Sequence, residues 1–586
     1  MDKKIIFLIV FSIFIFGIRL VNLNEAIYDD ESNFAYSLTV MDKFGFNYDF
    51  SSPQPFNLLY KPLLSLFGLQ TWVFRLIPWL FGILNTLLVY WLARRNWGDR
   101  AAFFSALLML ISFYPTLASL QFDVEGSLVM FCFIALFFCY LEQEKSVTPK
   151  AQLIWRLLAG AALGVAIILK YNSVYIVPVL FVYAWMSNHW RMKETIKSLL
   201  PVFGLGLALF TAHLLLATLI VPIEQQENSI AFYSWYGGFI AKYRPEGVSP
   251  LGLIMFILWS TPLFLGFYVI SWWKVERRAR VFLLWISGAL LFYSFVLTYG
   301  ALDRYFMNTI PAMALLGGIT ISHVSLGRRH WLFIAAGSIF YALLLFAINP
   351  FMKVVPRLPS DYFSELKHFN VAFLFSYTSS SGPTFGVSFT TIFITFLLSF
   401  LFLGWYIFHR WNEKSKEERW GEKNRPGISS PKSQVNYRLY HSPATIFAFF
   451  LAISIGFNLF LVAEYLFHPT GADVSAVKYQ MLSYVRERGL PFPLYSNDAG
   501  LMWYLDHHQW KTRSDPKGLV LGIPDNELGS DVSLITQSIE KRGGSVLLLH
   551  WPPLPEQSPV FEVTRLCSLT QQFYSQEKLI GEIYRC

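Results

Sequence analysis

The sequence predicts a polytopic α-helical membrane protein that carries a small α/β domain toward its C-terminal end. Of the 586 residues, 54% are hydrophobic and only 15% are charged. Long uncharged runs recur over most of the chain, and a bilayer-spanning helix needs about 20 such residues. After residue 466 the pattern changes to short apolar runs between amphipathic stretches, which is typical of a small domain outside the bilayer.

Thirteen apolar segments are predicted to cross the membrane. The first is too long, and too poor in a small-residue cleavage site, for a removable signal peptide, so we interpret it as the first span. The predicted segments are 5–22, 72–93, 101–118, 126–141, 154–169, 173–187, 199–222, 251–273, 281–301, 306–325, 331–349, 385–408 and 442–466.

The distribution of Lys and Arg between the connecting loops predicts the orientation. If the N-terminus is cytoplasmic, the cytoplasmic segments hold 24 Lys and Arg and the opposite loops hold 9, which is the bias expected for cytoplasmic loops. This places the charged loop 409–441 in the cytoplasm and the outer loop 23–71 on the other side. The net charge of +9 therefore reflects membrane topology, and the sequence contains no nucleic-acid-binding motif.

The chain divides into a membrane domain, residues 1–466, and an extracytoplasmic α/β domain, residues 467–586. In the second domain, "DVSAVKYQMLSYVRERGL" has helical spacing, "PLYSN" and "GGSVLLLHW" predict buried strands, and "GLMWYLDHH" predicts a helix between them. Cys567 and Cys586 are the two cysteines of this domain. In an oxidising compartment they are expected to pair, with two free thiols as the alternative.

Three consecutive carboxylates, Asp29, Asp30 and Glu31, directly follow the first span in "IYDDESNFAYSL". Ionised carboxylates beside a bilayer are costly unless they face water or a partner. Other charged residues share this location at the outer ends of spans or in outer loops: Arg19, Lys61, Asp123, Glu125, Lys170, Lys242, Arg244, Asp303 and Arg304.

Charges of both signs at one membrane face suit a transfer reaction. A carboxylate can remove a proton from an acceptor hydroxyl or amine, and cations stabilise the charge that develops on a leaving phosphate. The simpler alternative for Arg19, Lys61 and Lys170 is that they snorkel to lipid headgroups. For Glu125 and Asp303 it is that they are solvated or paired loop residues.

Six segments in the same order resemble motifs of the GT-C glycosyltransferases, and in particular the group of protein O-mannosyltransferases and aminoarabinose transferases. The first, "DDESNFAYSLTVM", resembles the Asp-Glu-x-x-Tyr-Ala opening of that group's first outer loop. The others are "YKPLLSLFG", "VFRLIPWLFGILNTLLVYWLARRNWGDRAAFFSALLM", "LQFDVEGSLVMF", "GAALGVAIILKYNSVYIVP" and "LDRYFMNTIPAMALLGG". Asn33, Phe34, Tyr60 and Leu63 depart from the residues that are common at these motif positions.

The resemblance implies a GT-C fold, a polyprenyl-phosphate-linked sugar donor and an inverting transfer to a lipid, protein or glycan acceptor on the outer face. The catalytic aspartate of the first outer loop corresponds by position to Asp30, with Glu31 and Asp123 shaping the site. The cations expected to bind the donor phosphate are Lys61, Lys170, Lys242, Arg244 and Arg304.

The sequence leaves the metal requirement and two other functions open. Such a transfer requires no cofactor, although Asp29, Asp30, Glu31 and Asp123 could ligate a divalent cation. The alternatives are a transporter or flippase of lipid-linked glycans, and an oligosaccharyltransferase or ligase that moves a glycan en bloc. Transporters tend to place ionisable residues near the midplane and to contain repeated halves. This chain has its charges at one face and no evident repeat, which favours a transferase.

Overall fold

The structure is a computed structural model. It describes residues 3–27, 31–32, 34–35, 38, 54–124, 126–220, 250–296, 303–352, 355–356, 362–376, 386–423, 443–467, 470–491, 493–498, 500–501, 520–522, 529–550, 554, 558, 560–575 and 578–586. Asp29, Asp30, Glu125, Lys242 and Arg244 lie outside the described residues.

The described part of the membrane domain is almost entirely helical. Its α-helices are α1 (Lys3–Arg19), α2 (Gln54–Phe67), α3 (Thr71–Ile111), α4 (Phe113–Ala118), α5 (Ser127–Lys145), α6 (Pro149–Leu169), α7 (Ile176–Ser187), α8 (Met192–Ile220), α9 (Pro250–Lys274), α10 (Arg280–Phe295), α11 (Ile310–His323), α12 (Arg328–Met352), α13 (Tyr362–Lys367), α14 (Phe389–Lys423) and α15 (Pro443–Phe467). Short 3-10 helices cover Leu20–Asn22, Tyr171–Tyr175, Arg277–Ala279 and Asp303–Thr309.

Each of the thirteen predicted segments corresponds to a helix. Among the described residues, ten helices are long and apolar enough to cross a membrane. One of the ten, α3, contains two predicted segments, whereas α7 has only 12 residues and α9 is broken at Thr261. The polytopic membrane fold is confirmed, with different boundaries at these three places.

Two glycines determine the course and packing of α3. Gly98 has φ 88° and breaks the helix into two segments, a conformation that glycine adopts without steric cost. The second glycine, Gly318, lies in α11, which packs against the part of α3 that follows Gly98. A Cβ at Gly318 would lie 2.0 Å from Ser105 Oγ, so this helix pair requires glycine there.

Arg19, which the sequence allowed to reach lipid headgroups, points into the protein. Its side chain is buried, and its guanidinium donates hydrogen bonds to Leu110 O (3.1 Å), Thr116 Oγ1 (2.9 Å) and Ser119 Oγ (3.2 Å). The cation also lies 4.4 Å from the ring centre of Phe16. Arg19 thus ties the end of α1 to the turn around α4.

The C-terminal region contains the first helix and the two buried strands predicted for it, whereas the predicted helix "GLMWYLDHH" lies outside the described residues except for Gly500 and Leu501. Helix α16 (Thr470–Arg488) is followed by a five-stranded sheet and two further helices. The elements are β4 (Leu494–Ser496), β5 (Val520–Gly522), α17 (Gly529–Arg542), β6 (Ser545–Leu549), α18 (Val560–Thr564), β7 (Ser568–Ser575) and β8 (Lys578–Arg585). The strand order is β5-β4-β6-β8-β7, in which β4 runs parallel to β5 and β6 and the other pairs are antiparallel.

A second, three-stranded sheet lies between α12 and α14 and was not predicted. Its strands are β1 (Val355–Pro356), β2 (Phe373–Ser376) and β3 (Gly386–Ser388). Each strand has only two to four residues, which is too short for the alternation that identifies a strand in a sequence.

The four cysteines fall into two classes. Cys567 and Cys586 are joined by a disulfide bond, with the sulfur atoms 1.97 Å apart. The bond links the end of α18 to the residue that follows β8. Cys132 and Cys139 are free and buried, so they are core thiols and not lipid-facing ones.

Candidate active site at the first outer loop

The acidic stretch of the first outer loop is anchored by a buried ion pair between Glu31 and Arg75. The Arg75 Nη2–Glu31 Oε2 distance is 2.7 Å, and the two side chains are 1% and 0% exposed. Arg75 lies in the first turns of α3, and burial of its charge requires partners in good geometry. The pair therefore fixes Glu31, the residue next to Asp30, against the start of α3.

The same guanidinium also binds the backbone that leads into the acidic stretch. Arg75 donates to the carbonyl oxygens of Leu23 (3.4 Å), Glu25 and Ala26 (3.0 Å). Hydrogen bonds from a charged donor are stronger than those between neutral groups. One side chain thus determines the path of the chain before and after Asp29 and Asp30.

Phe122 connects the second predicted outer loop, residues 119–125, to this ion pair. Its backbone N–H donates to Glu31 Oε1 at 2.9 Å, and its ring contacts those of Phe34, Phe56, Tyr60 and Phe74 at centroid distances of 4.8–5.9 Å. Aromatic pairs at such distances stabilise beyond their buried area.

Asp123 follows Phe122 directly and is also buried. The aromatic rings and the bond to Glu31 hold Phe122 in place. They thereby bring Asp123, a predicted site residue, close to the first outer loop.

Tyr60 contributes to the walls of this region. Its hydroxyl donates to the carbonyl oxygen of Phe74. Burial, together with the charge of Glu31, raises the pKa of the Tyr60 phenol well above its ordinary value. Tyr60 therefore remains neutral and holds α2 against α3.

The predicted phosphate-binding cations are only partly described. The ammonium of Lys170 lies 5.3 Å from the ring centre of Tyr305, which is within cation–π range. Tyr305 follows Arg304 in the 3-10 helix Asp303–Thr309, whose backbone is described. Lys170 and the segment that carries Arg304 therefore lie side by side, whereas Lys61 is exposed on α2.

The 3-10 helix Asp303–Thr309 belongs to the same end of the helix bundle as Asp123. It packs against α4 and α5, which flank the second outer loop. Phe306 stacks on Phe256 at 4.8 Å, and Tyr305 on Tyr293 at 5.7 Å. Two groups of predicted site residues, one acidic and one basic, are thus assembled at one end of α5.

A polar cavity of about 370 Å³ lies at the other end of α5. Its lining includes Glu144, Arg156, Arg277 and Arg278. Glu144 is 17 residues beyond the start of α5, which corresponds to about 25 Å along a helix. This cavity is therefore separate from the acidic site.

The described residues contain no group of three or more side chains that could hold a metal ion. Asp29 and Asp30, the other candidate ligands, lie outside them.

Arg75 and Lys478 are buried cations that we did not predict, although the sequence contains a signal for each. Arg75 is a lone cation within the apolar run "VFRLIPWLFG", and such a residue requires a partner. Lys478 lies on the apolar stripe of α16, next to Val477 and between Val474 and Met481. Helical periodicity predicts that this position is buried.

The fold matches that of a solved membrane protein over nearly its whole length. Crystal structures of ArnT from Cupriavidus metallidurans, in the apo state and bound to undecaprenyl phosphate, each have a TM-score of 0.59. Each comparison covers 99% of this chain and 97% of that chain at 16% identity. The molecule therefore has the GT-C membrane fold that the sequence predicted.

Sequence comparisons identify similar proteins over part of the chain. The model of the family described as dolichyl-phosphate-mannose-protein mannosyltransferase matches residues 52–216. Undecaprenyl phosphate-alpha-4-amino-4-deoxy-L-arabinose arabinosyl transferases from Erwinia tasmaniensis and Yersinia enterocolitica are 27% and 25% identical over 272 and 274 residues. These alignments cover 42% of this chain, which spans about half (47%) of each relative. The chain is thus similar in sequence to these transferases over less than half of its length, and it shares the GT-C membrane fold.

Substitution of Arg75 tests the ion pair. Arg75→Met leaves a carboxylate buried without its guanidinium and is expected to cost about 3–5 kcal/mol in unfolding free energy. Glu31→Gln combined with Arg75→Met is expected to cost less, because no unpaired charge remains. Thermal unfolding in detergent measures both variants.

Arg95→Met is the matched control. Arg95 is 60% exposed, and its partner Glu142 keeps Lys145 at 3.1 Å, so a loss below about 1 kcal/mol is expected. Equal losses for Arg75→Met and Arg95→Met would contradict the importance of the buried pair.

Proposed function

We propose that this protein is an inverting glycosyltransferase that moves a sugar from a polyprenyl-phosphate-linked donor to an acceptor on the outer face of the membrane. The observation that carries the proposal is the buried contact of Glu31 with Arg75 and Phe122. It joins the two acidic outer loops at one end of a GT-C bundle. The match of residues 52–216 to a mannosyltransferase family model supports it.

In this proposal Asp30 is the general base. It takes the proton from the acceptor hydroxyl or amine while the acceptor attacks the anomeric carbon of the sugar. The bond between that carbon and the phosphate oxygen breaks, and polyprenyl phosphate leaves with the electron pair. Attack on the face opposite the leaving group inverts the configuration. Glu31 and Asp123 shape the site, and the bonds of Glu31 to Arg75 and Phe122 suit a positioning role.

The cations of the outer loops stabilise the leaving phosphate. We assign this role to Arg304, and to Lys242 or Arg244, with Lys61 and Lys170 as additional ligands. The contact between Lys170 and Tyr305 supports the placement of two of these cations in one area. Guanidinium groups bind phosphate oxygens in a bidentate manner.

The proposed chemistry needs no cofactor, since the leaving group departs as a phosphate anion. A divalent cation at Asp29, Asp30 and Asp123 is the alternative, and chelation of the purified enzyme separates the two. Full activity in the presence of a chelator excludes the metal, whereas recovery only after Mg²⁺ or Mn²⁺ addition requires it.

The identity of the transferred sugar and of the acceptor can be tested in cells. Mass spectrometry of surface lipids, proteins and glycans from wild-type and deletion strains should reveal one class of molecule that loses a single sugar. Loss of an entire oligosaccharide would instead favour en bloc transfer. Accumulation of an unflipped lipid-linked glycan would favour a flippase.

Asp30→Asn tests the catalytic base. The amide keeps the size of the side chain but cannot accept the proton, so turnover is expected to fall about 100-fold or more while the protein still inserts. Asp29→Asn is the neighbouring control and should retain most activity if no metal is bound. Near-normal transfer by purified Asp30→Asn protein would overturn the assignment.

Arg304→Ala tests the phosphate site and should weaken binding of the lipid donor. Arg304→Lys is expected to restore binding only in part, because the bidentate fork is lost. Binding of a polyprenyl phosphate to the purified variants provides the measurement. Wild-type affinity in both variants would make Arg304 a structural residue.

Thiol labelling tests the proposed orientation. If the disulfide-bonded pair lies outside the cytoplasm, an impermeant reagent should label Cys567 and Cys586 on intact cells only after reduction. Such a bond closes a loop of about 20 residues and is worth on the order of 3 kcal/mol in the chain-entropy model. Labelling that needs permeabilised membranes but no reductant would place this region in the cytoplasm.

A further inference from the structure

Helix α16, the first helix of the C-terminal region, contacts residues 24–27, which lead into the acidic stretch. These four consecutive residues are bound by three side chains of α16. Tyr479 Oη donates to Asn24 O at 3.3 Å. Ser475 Oγ donates to Glu25 Oε2 at 2.6 Å and accepts from the N–H of Ala26 at 3.2 Å.

The last and most buried of these contacts is made by Lys478. Its side chain is 1% exposed, and its ammonium donates to Ile27 O at 3.1 Å. The same ammonium lies 2.9 Å from Asp498 Oδ2, in the turn after β4. A lysine is rarely buried to this degree unless it is paired. Its two partners are a carboxylate of its own region and a backbone carbonyl three residues before Asp30.

Gly500 brings the C-terminal region into closest contact with the same carbonyl. A Cβ at position 500 would lie 2.2 Å from Ile27 O. Because Ile27 O is a backbone atom, a side-chain rotation could not relieve this clash. Asp498 also accepts the N–H of Leu501 at 2.7 Å, which holds this turn in place. The region around residue 500 is therefore shaped to fit residue 27.

We infer that residues 475–500 of the C-terminal region position the catalytic loop, with Lys478 and Gly500 as its positioning residues. This inference rests on the proposed function, in which Asp30 is the base. Arg75 binds the carbonyls of Leu23, Glu25 and Ala26, and α16 binds residues 24–27. Asp30 follows Ile27 by three residues in the sequence, so in this inference both sets of contacts limit where its carboxylate can lie. Misplacement of a reacting group by about 1 Å can cost 100-fold in rate.

Two substitutions test the role of these residues in turnover. Lys478→Met removes the donor to Ile27 O, and Gly500→Ala pushes on that carbonyl. Each is expected to lower kcat at least tenfold while the KM for the lipid donor stays within twofold, because the predicted phosphate ligands lie on other elements. If Lys478→Met does not accumulate, Ser475→Ala removes the neighbouring contact of α16 with Glu25 and Ala26 by a smaller change, and the same fall in kcat is expected.

Matched controls use the same replacements at sites without such contacts. Lys541→Met changes an exposed lysine of α17, and Gly404→Ala adds a Cβ where nothing lies within 4 Å. Both should keep wild-type kcat. A kcat within twofold of wild type in Lys478→Met and Gly500→Ala would overturn the inference.

The double variant Lys478→Met/Asp498→Asn separates positioning from stability. It removes both charges of the Lys478–Asp498 pair, so its unfolding temperature should recover relative to Lys478→Met, in which the Asp498 carboxylate has lost this ammonium. Its kcat should stay low, because Ile27 O still lacks its donor. Recovery of kcat together with the unfolding temperature would show that the ion pair only stabilises the fold and would overturn the inference.

Hydrogen exchange decides the inference without any substrate. In lipid nanodiscs, peptides that cover residues 22–35 should exchange at least tenfold faster in Lys478→Met and Gly500→Ala than in wild type or the two controls. Unchanged exchange would overturn the inference. If wild-type protein transfers no sugar from any polyprenyl-phosphate donor, the proposed function fails, while the exchange rates still report whether α16 orders the loop.

Discussion

The ion pair between Glu31 and Arg75 is the contact on which the acidic end of the helix bundle depends. Neither charge reaches water, and removal of an ion from water costs several kcal/mol even after relaxation. The pair therefore depends on further hydrogen bonds to its two side chains. The carbonyls of Leu23, Glu25 and Ala26 accept hydrogen bonds from Arg75, and the N–H of Phe122 donates to Glu31. Three separate parts of the chain must meet for this charge pair to be stable.

Apolar and polar contacts around the pair have different roles. The rings that surround Phe122 keep water away from the charges, and this strengthens each electrostatic contact. Polar side chains of α16 bind backbone groups of Asn24, Ala26 and Ile27, as buried backbone groups require. A general base must be held within a few tenths of an ångström, and in our proposal this combination provides that precision.

The sequence predicted the helices well because an uncharged run of about 20 residues is a signal contained within each segment. It also located the acidic stretch, since charges stand out beside apolar runs. It did not reveal that Arg75 meets Glu31 or that Lys478 meets Ile27. These partners are 44 and 451 residues apart, and only the packing of the whole chain decides them. The break at Gly98 falls between the predicted segments 72–93 and 101–118. The break at Thr261 lies inside the predicted segment 251–273 and escaped prediction because hydropathy does not report backbone angles.

The bonds between residues 24–27 and α16 have a consequence for biogenesis. The two partners are separated by about 450 residues, and a ribosome adds about 5–20 residues per second. The first outer loop therefore waits roughly 20–90 s before α16 exists to cover it. During that time the backbone groups that α16 binds, Asn24 O, Ala26 N–H and Ile27 O, must be hydrated or held by a chaperone. The entrance to the acidic stretch is thus completed late in synthesis, after every membrane helix from α1 to α15 has been made.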